Sequence, residues 1–377
     1  MTENQKNLVY KIKRDFSEVE QSHPGDDYLS YYKQYRSKLD LDADVSSQVF
    51  SAEPYFIVET IVPWLCLEYI KSKKKWFSLE GDDPKTHYDD LEAKTIEEYL
   101  WKQMRKMKFQ RLIPKIARCG SVNGLCPIKY SWEVRKRKKP TVVPMTILGF
   151  QAGTKIEKTL VTEYDGPKFE IVPPQDLYRP KGYSDPRNYP FIIHKFYMSI
   201  ENLNNLEKSV DWLINLNELR EWKQKKGVSE DSLTKDFRDA IDEKNYELSE
   251  HPRVKIYEYQ TDDKIYWLAE DTILIRDSDN IFGEKTYIYY LPIEDIFEFN
   301  GIGEIEPYES TFDEINTLKN MGLDEEKLWI QRPWLIREGT TINWGETGLD
   351  SRRKGSRGPL RGKLRRNALG FPFPFQC

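Results

Sequence analysis

Three kinds of side chain in this 377-residue sequence could do chemistry. Paired carboxylates come first: Asp82 with Asp83, Asp262 with Asp263, and Asp277 with Asp279 could gather a divalent metal for phosphodiester hydrolysis. Each pair falls in a turn, where Asp is favoured because it bonds its own backbone, so no metal site is expected from them. The second kind is a basic pentad, Arg135, Lys136, Arg137, Lys138 and Lys139, suited to DNA or to an acidic partner. It stands between WEV and PTVVP and reads as the tip of a hairpin. The third kind is the metal-ligating and nucleophilic set. His23, His87, His194 and His251 are each more than four residues from any other, and Cys66, Cys119, Cys126 and Cys377 have no CxxC spacing. Neither a zinc site nor a disulfide framework is indicated, and free thiols in a reducing compartment are expected. His194, in FIIHKFY, reads as a core or edge-strand histidine. No GxxxxGK[ST], HExxH or GxSxG motif occurs, and no cofactor is expected.

Composition narrows the class further. A net charge of −4 and a pI near 5.8 deny the chain as a whole the electrostatic footprint of a protein that grips phosphates. With 23 Tyr, 17 Phe and 10 Trp there is enough apolar surface to collapse. The N-terminus has no apolar run of signal-peptide length. The most apolar stretch, from Tyr55 to Leu67, contains Glu59 and Pro63 and falls short of the roughly 20 residues that span a bilayer.

The elements that must position these residues follow from periodicity. Asp26 and Asp27 open a helix carrying Tyr28, Tyr31, Tyr32, Tyr35 and Leu39 at helical spacing. A second helix is expected over Ser46 to Lys73, burying Phe50, Ile57, Val58, Ile61, Leu65 and Tyr69 and bent by Pro54 and Pro63. A short strand at Trp76 to Leu79 and a third helix from Leu91 to Arg118 come next. From Cys126 to about Ile193 the runs IKYSWEV, PTVVPMTIL, KTLVTEY and KFEIVPP read as a meander of short strands. Residues 199–248 turn helical and charged. Strands resume at VKIYEYQTDDKIYWLAEDTILIRD, with a hairpin tip at Thr261 to Asp263, and run through TYIYYLP. The layout is α+β.

A last long helix is expected after Gly301 and Gly303, with Glu306 able to cap it and Pro307 in its first turn. Tyr308, Phe312, Ile315, Leu318 and Met321 recur at steps of four and three and form its apolar face. Glu309, Asp313 and Glu314, then Asp324, Glu325 and Glu326, make its other side acidic, which in isolation describes an ordinary solvated flank.

This Gly-x-Gly turn and acidic helix, with its E-I-N step at Glu314, Ile315 and Asn316, resembles the start of the stem in portal proteins of tailed double-stranded DNA phages. Upstream blocks are similar in the same order: YFIVETIVPWL, a glycine step followed by IKYSWE, FEIVPPQDLYRPKG, FIIHKFY, and GIGEIEPYESTFDEIN. The resemblance covers roughly residues 45–340. It implies an N-terminal helical segment (1–45), a wing-like α+β domain (46–300) with a helical insertion, a stem-like helix (301–332) and the start of a clip (333–349). It also implies a homo-oligomeric ring, usually a dodecamer, at a capsid vertex. Double-stranded DNA would pass through it, and terminase, capsid and scaffolding proteins, and tail or adaptor proteins would be its partners. The location would be the virion, with assembly in the host cytoplasm, and no membrane or enzymatic activity is implied. Glu309, Asp313 and Glu314 would face the DNA channel.

The C-terminal text departs from the family. Between Ser351 and Arg366 there are eight Arg or Lys and no Asp or Glu. Residues 350–377 therefore read as a basic, disordered, non-native tail, as if the gene were truncated or frameshifted; a natural phosphate-binding tail is the other reading. The alternatives for the whole chain are a metal-dependent phage nuclease or nucleic-acid-processing protein, and a non-functional prophage fragment.

Overall fold

The computed structural model describes residues 2–38, 47, 49–71, 75–81, 87–147, 150–183, 185–207, 210–225, 253–296 and 298–331. Residues 1–324 form one unit, and Glu325 begins a second. Asp82 and Asp83, His251, Cys377, most of the charged excursion after Lys225, the clip-like region and the basic tail lie outside the described residues.

Helix α1 (Glu3–Glu20) lies in the expected N-terminal helical segment, and Thr2 and Gln5 form a reciprocal capping box at its start. Its Val9, Ile12 and Val19 enter a core with Tyr178, Ile193, Tyr257 and Leu268. Helix α2 (Gly25–Tyr35) carries the tyrosine stripe; Tyr28 is buried, while Tyr31 and Tyr35 pack beside a second core. Helix α3 (Glu53–Lys71) starts later than its sequence suggests, with Pro54 in the first turn, where its missing N–H costs nothing. The face it buries is Val58, Val62 and Cys66, whereas Leu65 and Tyr69 are exposed.

Trp76 to Leu79 is not a strand. It is irregular chain whose Trp76 and Phe77 rings pack on Trp101. The single long helix expected from Leu91 is two, α4 (His87–Met107) and α5 (Ile113–Asn123). They are separated at Lys108, which takes a left-handed conformation, and by a 3-10 turn. Pro114 explains the break: within a continuous helix it would remove a hydrogen bond and clash with the preceding turn, whereas here it sits in the first turn of α5.

The meander is in fact one long hairpin. Strand β1 (Cys126–Ile147) pairs antiparallel with β2 (Phe150–Ile171) along nearly its whole length. Strand β8 (Tyr287–Tyr290) completes this sheet, pairing with Cys126 to Lys129. A second antiparallel sheet has the order β3-β4-β5-β6-β7, formed by β3 (Leu177–Tyr178), β4 (Ile192–Ser199), β5 (Arg253–Gln260), β6 (Lys264–Ala269) and β7 (Ile273–Asp279). The β5–β6 turn falls at Thr261 to Asp263 as read from the sequence, and the β6–β7 turn uses Glu270 and Asp271, both at positive φ. Helices α6 (Ile200–Glu207) and α7 (Leu216–Lys225) place Leu203, Leu216 and Leu219 against this sheet. The chain is thus α+β, and a 3-10 turn at Glu306–Tyr308 leads into the last helix, α8 (Glu309–Gln331). Among the described residues no helix is long and apolar enough to cross a membrane.

Candidate functional site

The Gly-x-Gly turn is seated against the end of α5. Gly124, at φ +72°, caps that helix in the left-handed region, and its N–H donates to the Gly120 carbonyl at 2.7 Å. A Cβ on Gly124 would stand 2.1 Å from the Gly301 carbonyl oxygen and 2.9 Å from the Gly303 nitrogen. Glu304 N–H donates to the Ser121 carbonyl at 2.7 Å, and Ile305 is fully buried among Val58, Val62, Ala117 and Phe312. Two glycine steps far apart in sequence therefore meet backbone to backbone and fix where α8 begins.

Helix α8 buries only part of the apolar face that its sequence pattern suggests, Phe312 fully and Ile315 by half. Phe312, Asn316 and Asn320 point inward, while Tyr308, Leu318 and Met321 are more than half exposed. The partner explains the inversion. The chain at 49–51 offers unpaired backbone groups, which asparagine amides satisfy and leucine cannot. Asn320 accepts from Val49 N–H at 2.8 Å and donates to its carbonyl at 3.1 Å, and Asn316 accepts from Ser51 N–H at 2.8 Å. Lys319 bridges Ser51 Oγ and Glu53 at 2.6 and 2.9 Å.

The three acids assigned to a common channel-facing side are split by this orientation. Glu309 is half-buried and accepts hydrogen bonds from Ser30 Oγ and Gln34 Nε2, both at 2.9 Å, so it holds α8 to α2 and is not part of an open acidic face. Asp313 and Glu314 are exposed.

The basic pentad is not a hairpin tip. It lies mid-strand in β1, with Arg135 opposite Tyr164, Lys136 opposite Thr162, Arg137 opposite Val161, Lys138 opposite Leu160 and Lys139 opposite Thr159. The register shifts between Arg135 and Lys136, leaving Glu163 as the extra residue of a bulge on β2. A strand can run through charges and through Pro140 and Pro144 here because, among the described residues, β1 has no backbone partner on its other edge beyond Tyr130, whose N–H donates to the Thr286 carbonyl at 3.0 Å. Arg135 lies 3.0 Å from Glu133, Arg137 lies 3.7 Å from Glu163, and Lys139 is exposed.

A charged centre that the sequence reading missed joins the two sheets. Glu258 of β5 is 2% exposed and lies 2.6 Å from Lys129 Nζ of β1. Trp267 Nε1 donates to it at 2.8 Å and Tyr287 OH at 3.1 Å. His194 of β4 stands directly across from Glu258 in register, and its Nδ1 has no hydrogen-bond partner among the described residues. Burial, reinforced by the Lys129 ammonium, pushes His194 down to about 3, so it is neutral near pH 7. Burial alone would raise the Glu258 carboxyl, but Lys129 overrides it and holds the group at about 2. The signal available in sequence was a glutamate inside the apolar alternation of VKIYEYQ. A buried pair of this kind registers two sheets, and removal of one member costs about 3–5 kcal/mol.

The remaining carboxylate pairs are not brought together. Asp262 pairs with Lys285, and Asp277 and Asp279 lie 3.5 and 3.8 Å from Lys264. Among the described residues no group of three or more His, Cys, Asp or Glu is placed to hold a metal. Cys66, Cys119 and Cys126 are free thiols. No protein-family model and no curated protein matches this chain.

Proposed function

We propose that the chain is a subunit of a portal ring, the head-to-tail connector through which DNA enters and leaves a phage capsid. The observation that carries this reading is the order of five sequence blocks across residues 45–340. Their arrangement in the fold supports it: the glycine step before IKYSWE and the Gly-x-Gly turn pack together at the point from which α8 departs. On this reading Asp313 and Glu314 remain as channel-facing acids. Repeated around a ring, they repel phosphates and prevent tight binding that would stall sliding, with salt keeping the barrier modest. ATP hydrolysis belongs to the terminase, so the protein is not itself an enzyme. Capsid, scaffolding and tail or adaptor proteins are the other partners, and the virion vertex is the location.

Ring closure requires two complementary patches on one subunit. Phe56 and Trp64 on α3 and Tyr99 on α4, each more than half exposed, are apolar groups available for such contacts. The nuclease alternative has no specific observation in its favour. Native mass spectrometry with negative-stain imaging tests the portal reading. Rings with a central hole, twelve subunits in the usual case, are expected. A chain that stays monomeric even with a portal C-terminal region appended refutes it.

A further inference from the structure

We infer that the two-stranded β1–β2 ribbon is a docking element for double-stranded DNA, gripping the phosphate backbone through the pentad Arg135 to Lys139. The inference does not rest on the ring assignment. It begins from a difference between sequence and fold: cations at a loop tip would form a compact knot, whereas in a strand they are spread out. Residues two apart on one side of a strand are separated by about 6.7 Å, so Arg135, Arg137 and Lys139 form a row about 13 Å long. A duplex carries one negative charge per roughly 1.7 Å of axis, and its major groove admits a two-stranded antiparallel ribbon. Among the described residues the ribbon has no backbone partner on this edge past Tyr130, so the edge is open along the pentad. Arg135, Arg137 and Lys139 are all exposed.

The occupant is set by charge complementarity. The chain carries a net charge of −4, so generic attraction to DNA is absent and any affinity must be local to a patch such as this one. Glu133 and Glu163 lie 3.0 and 3.7 Å from Arg135 and Arg137. These are solvent-exposed pairs of small intrinsic strength, which phosphate oxygens can displace. The two carboxylates thereby keep the ribbon soluble when free and weaken its hold on DNA. An acidic protein surface or an anionic membrane would compete for the same cations, but neither has a groove that accepts a ribbon edge-on.

The test is fluorescence anisotropy of the full chain with a mixed-sequence DNA duplex over a salt series. The three phosphate contacts of the row Arg135, Arg137 and Lys139 give a log–log slope near −2.7, so affinity falls roughly 40-fold between about 50 and about 200 mM salt. Replacing Arg135, Arg137 and Lys139 by Gln abolishes the binding and the slope, while circular dichroism and Tm stay at parental values, since these three positions are exposed. The E133Q/E163Q variant, which keeps every cation, binds several-fold more tightly. Three results overturn the inference: no binding by the parent at the low-salt end, parent-like affinity in the triple-Gln variant, or tighter binding to polyglutamate or to phosphatidylglycerol vesicles than to the duplex. Unchanged or weakened affinity in E133Q/E163Q removes Arg135 and Arg137 from the contact set and overturns it as well.

Discussion

Gly124→Ala should be among the most destabilising single-methyl additions in this chain. Two costs combine. At φ +72° any L-residue pays about 1–2 kcal/mol for the left-handed conformation. The new Cβ would then lie 2.1 Å from the Gly301 carbonyl oxygen and 2.9 Å from both Gly301 C and Gly303 N. These neighbours are backbone and cannot rotate away, so the clash falls at the upper end of the roughly 1–3 kcal/mol typical of overpacking. The sum, about 3–5 kcal/mol, is a large part of the 5–15 kcal/mol that holds a typical domain. Gly283→Ala is the matched control: φ is +67°, and nothing lies within 4 Å of the added carbon, so it should cost the conformational term of about 1 kcal/mol alone. Urea titrations followed by tryptophan fluorescence give both values. Hydrogen exchange should show the excess in Gly124→Ala as lost protection at the start of α8, because the turn must withdraw from α5. If the two variants agree within about 0.5 kcal/mol, the turn is not seated on α5 and the account of how α8 is positioned is wrong.

Other tests address the remaining contacts. Asn320→Ala leaves the Val49 N–H and carbonyl without their amide partner and should cost about 1–3 kcal/mol in the same titration, whereas a cost near zero would mean that water or another group replaces it. Burial lowers His194 from 6.5 to about 3 and His23 from 6.5 to about 4, so the unfolded chain takes up these protons first. Stability must then fall as pH drops below about 6.5, by up to about 1.4 kcal/mol per unit for each group, and be fully present above it. His194→Asn should roughly halve this slope between pH 6.5 and about 4.5; an unaltered slope would place the titration elsewhere. Under the portal proposal, Asp313→Lys with Glu314→Lys should slow DNA packaging while leaving Tm near parental; independently of it, Glu309→Lys should lower Tm because it removes the acceptor of Ser30 and Gln34. Equal Tm values for the two sets would contradict the inward position of Glu309.

Much of the fold was legible because its signals are local. The β5–β6 hairpin at Thr261 to Asp263, the strand TYIYYLP, the tyrosine face of α2 and the Gly-x-Gly start of α8 all came from alternation, helical spacing and turn residues that act over a few positions. The errors cluster where a distant partner decides. The break between α4 and α5 is the local exception: Pro114 marks it in the sequence, whereas the left-handed turn at Lys108 has no sequence mark. Leu318 and Met321 had the right period for a buried face, but the facing chain at 49–51 needed hydrogen-bond partners more than apolar contact, so Asn316 and Asn320 turned inward.

The candidate sites divide in the same way. The identities of the acidic and basic groups, the lack of a metal-ligand spacing and the α+β class were set by residue type and periodicity, which are properties of the chain read in order. Tertiary structure alone decided that Arg135 to Lys139 sit mid-ribbon, that Glu309 is tied to α2 while Asp313 and Glu314 are open, and that Lys129 meets Glu258 between two sheets. Each of these depends on strand register or on helix rotation against a partner that lies from twenty to more than two hundred residues away in the sequence. A shift of one residue reverses the outcome without changing the local pattern at all.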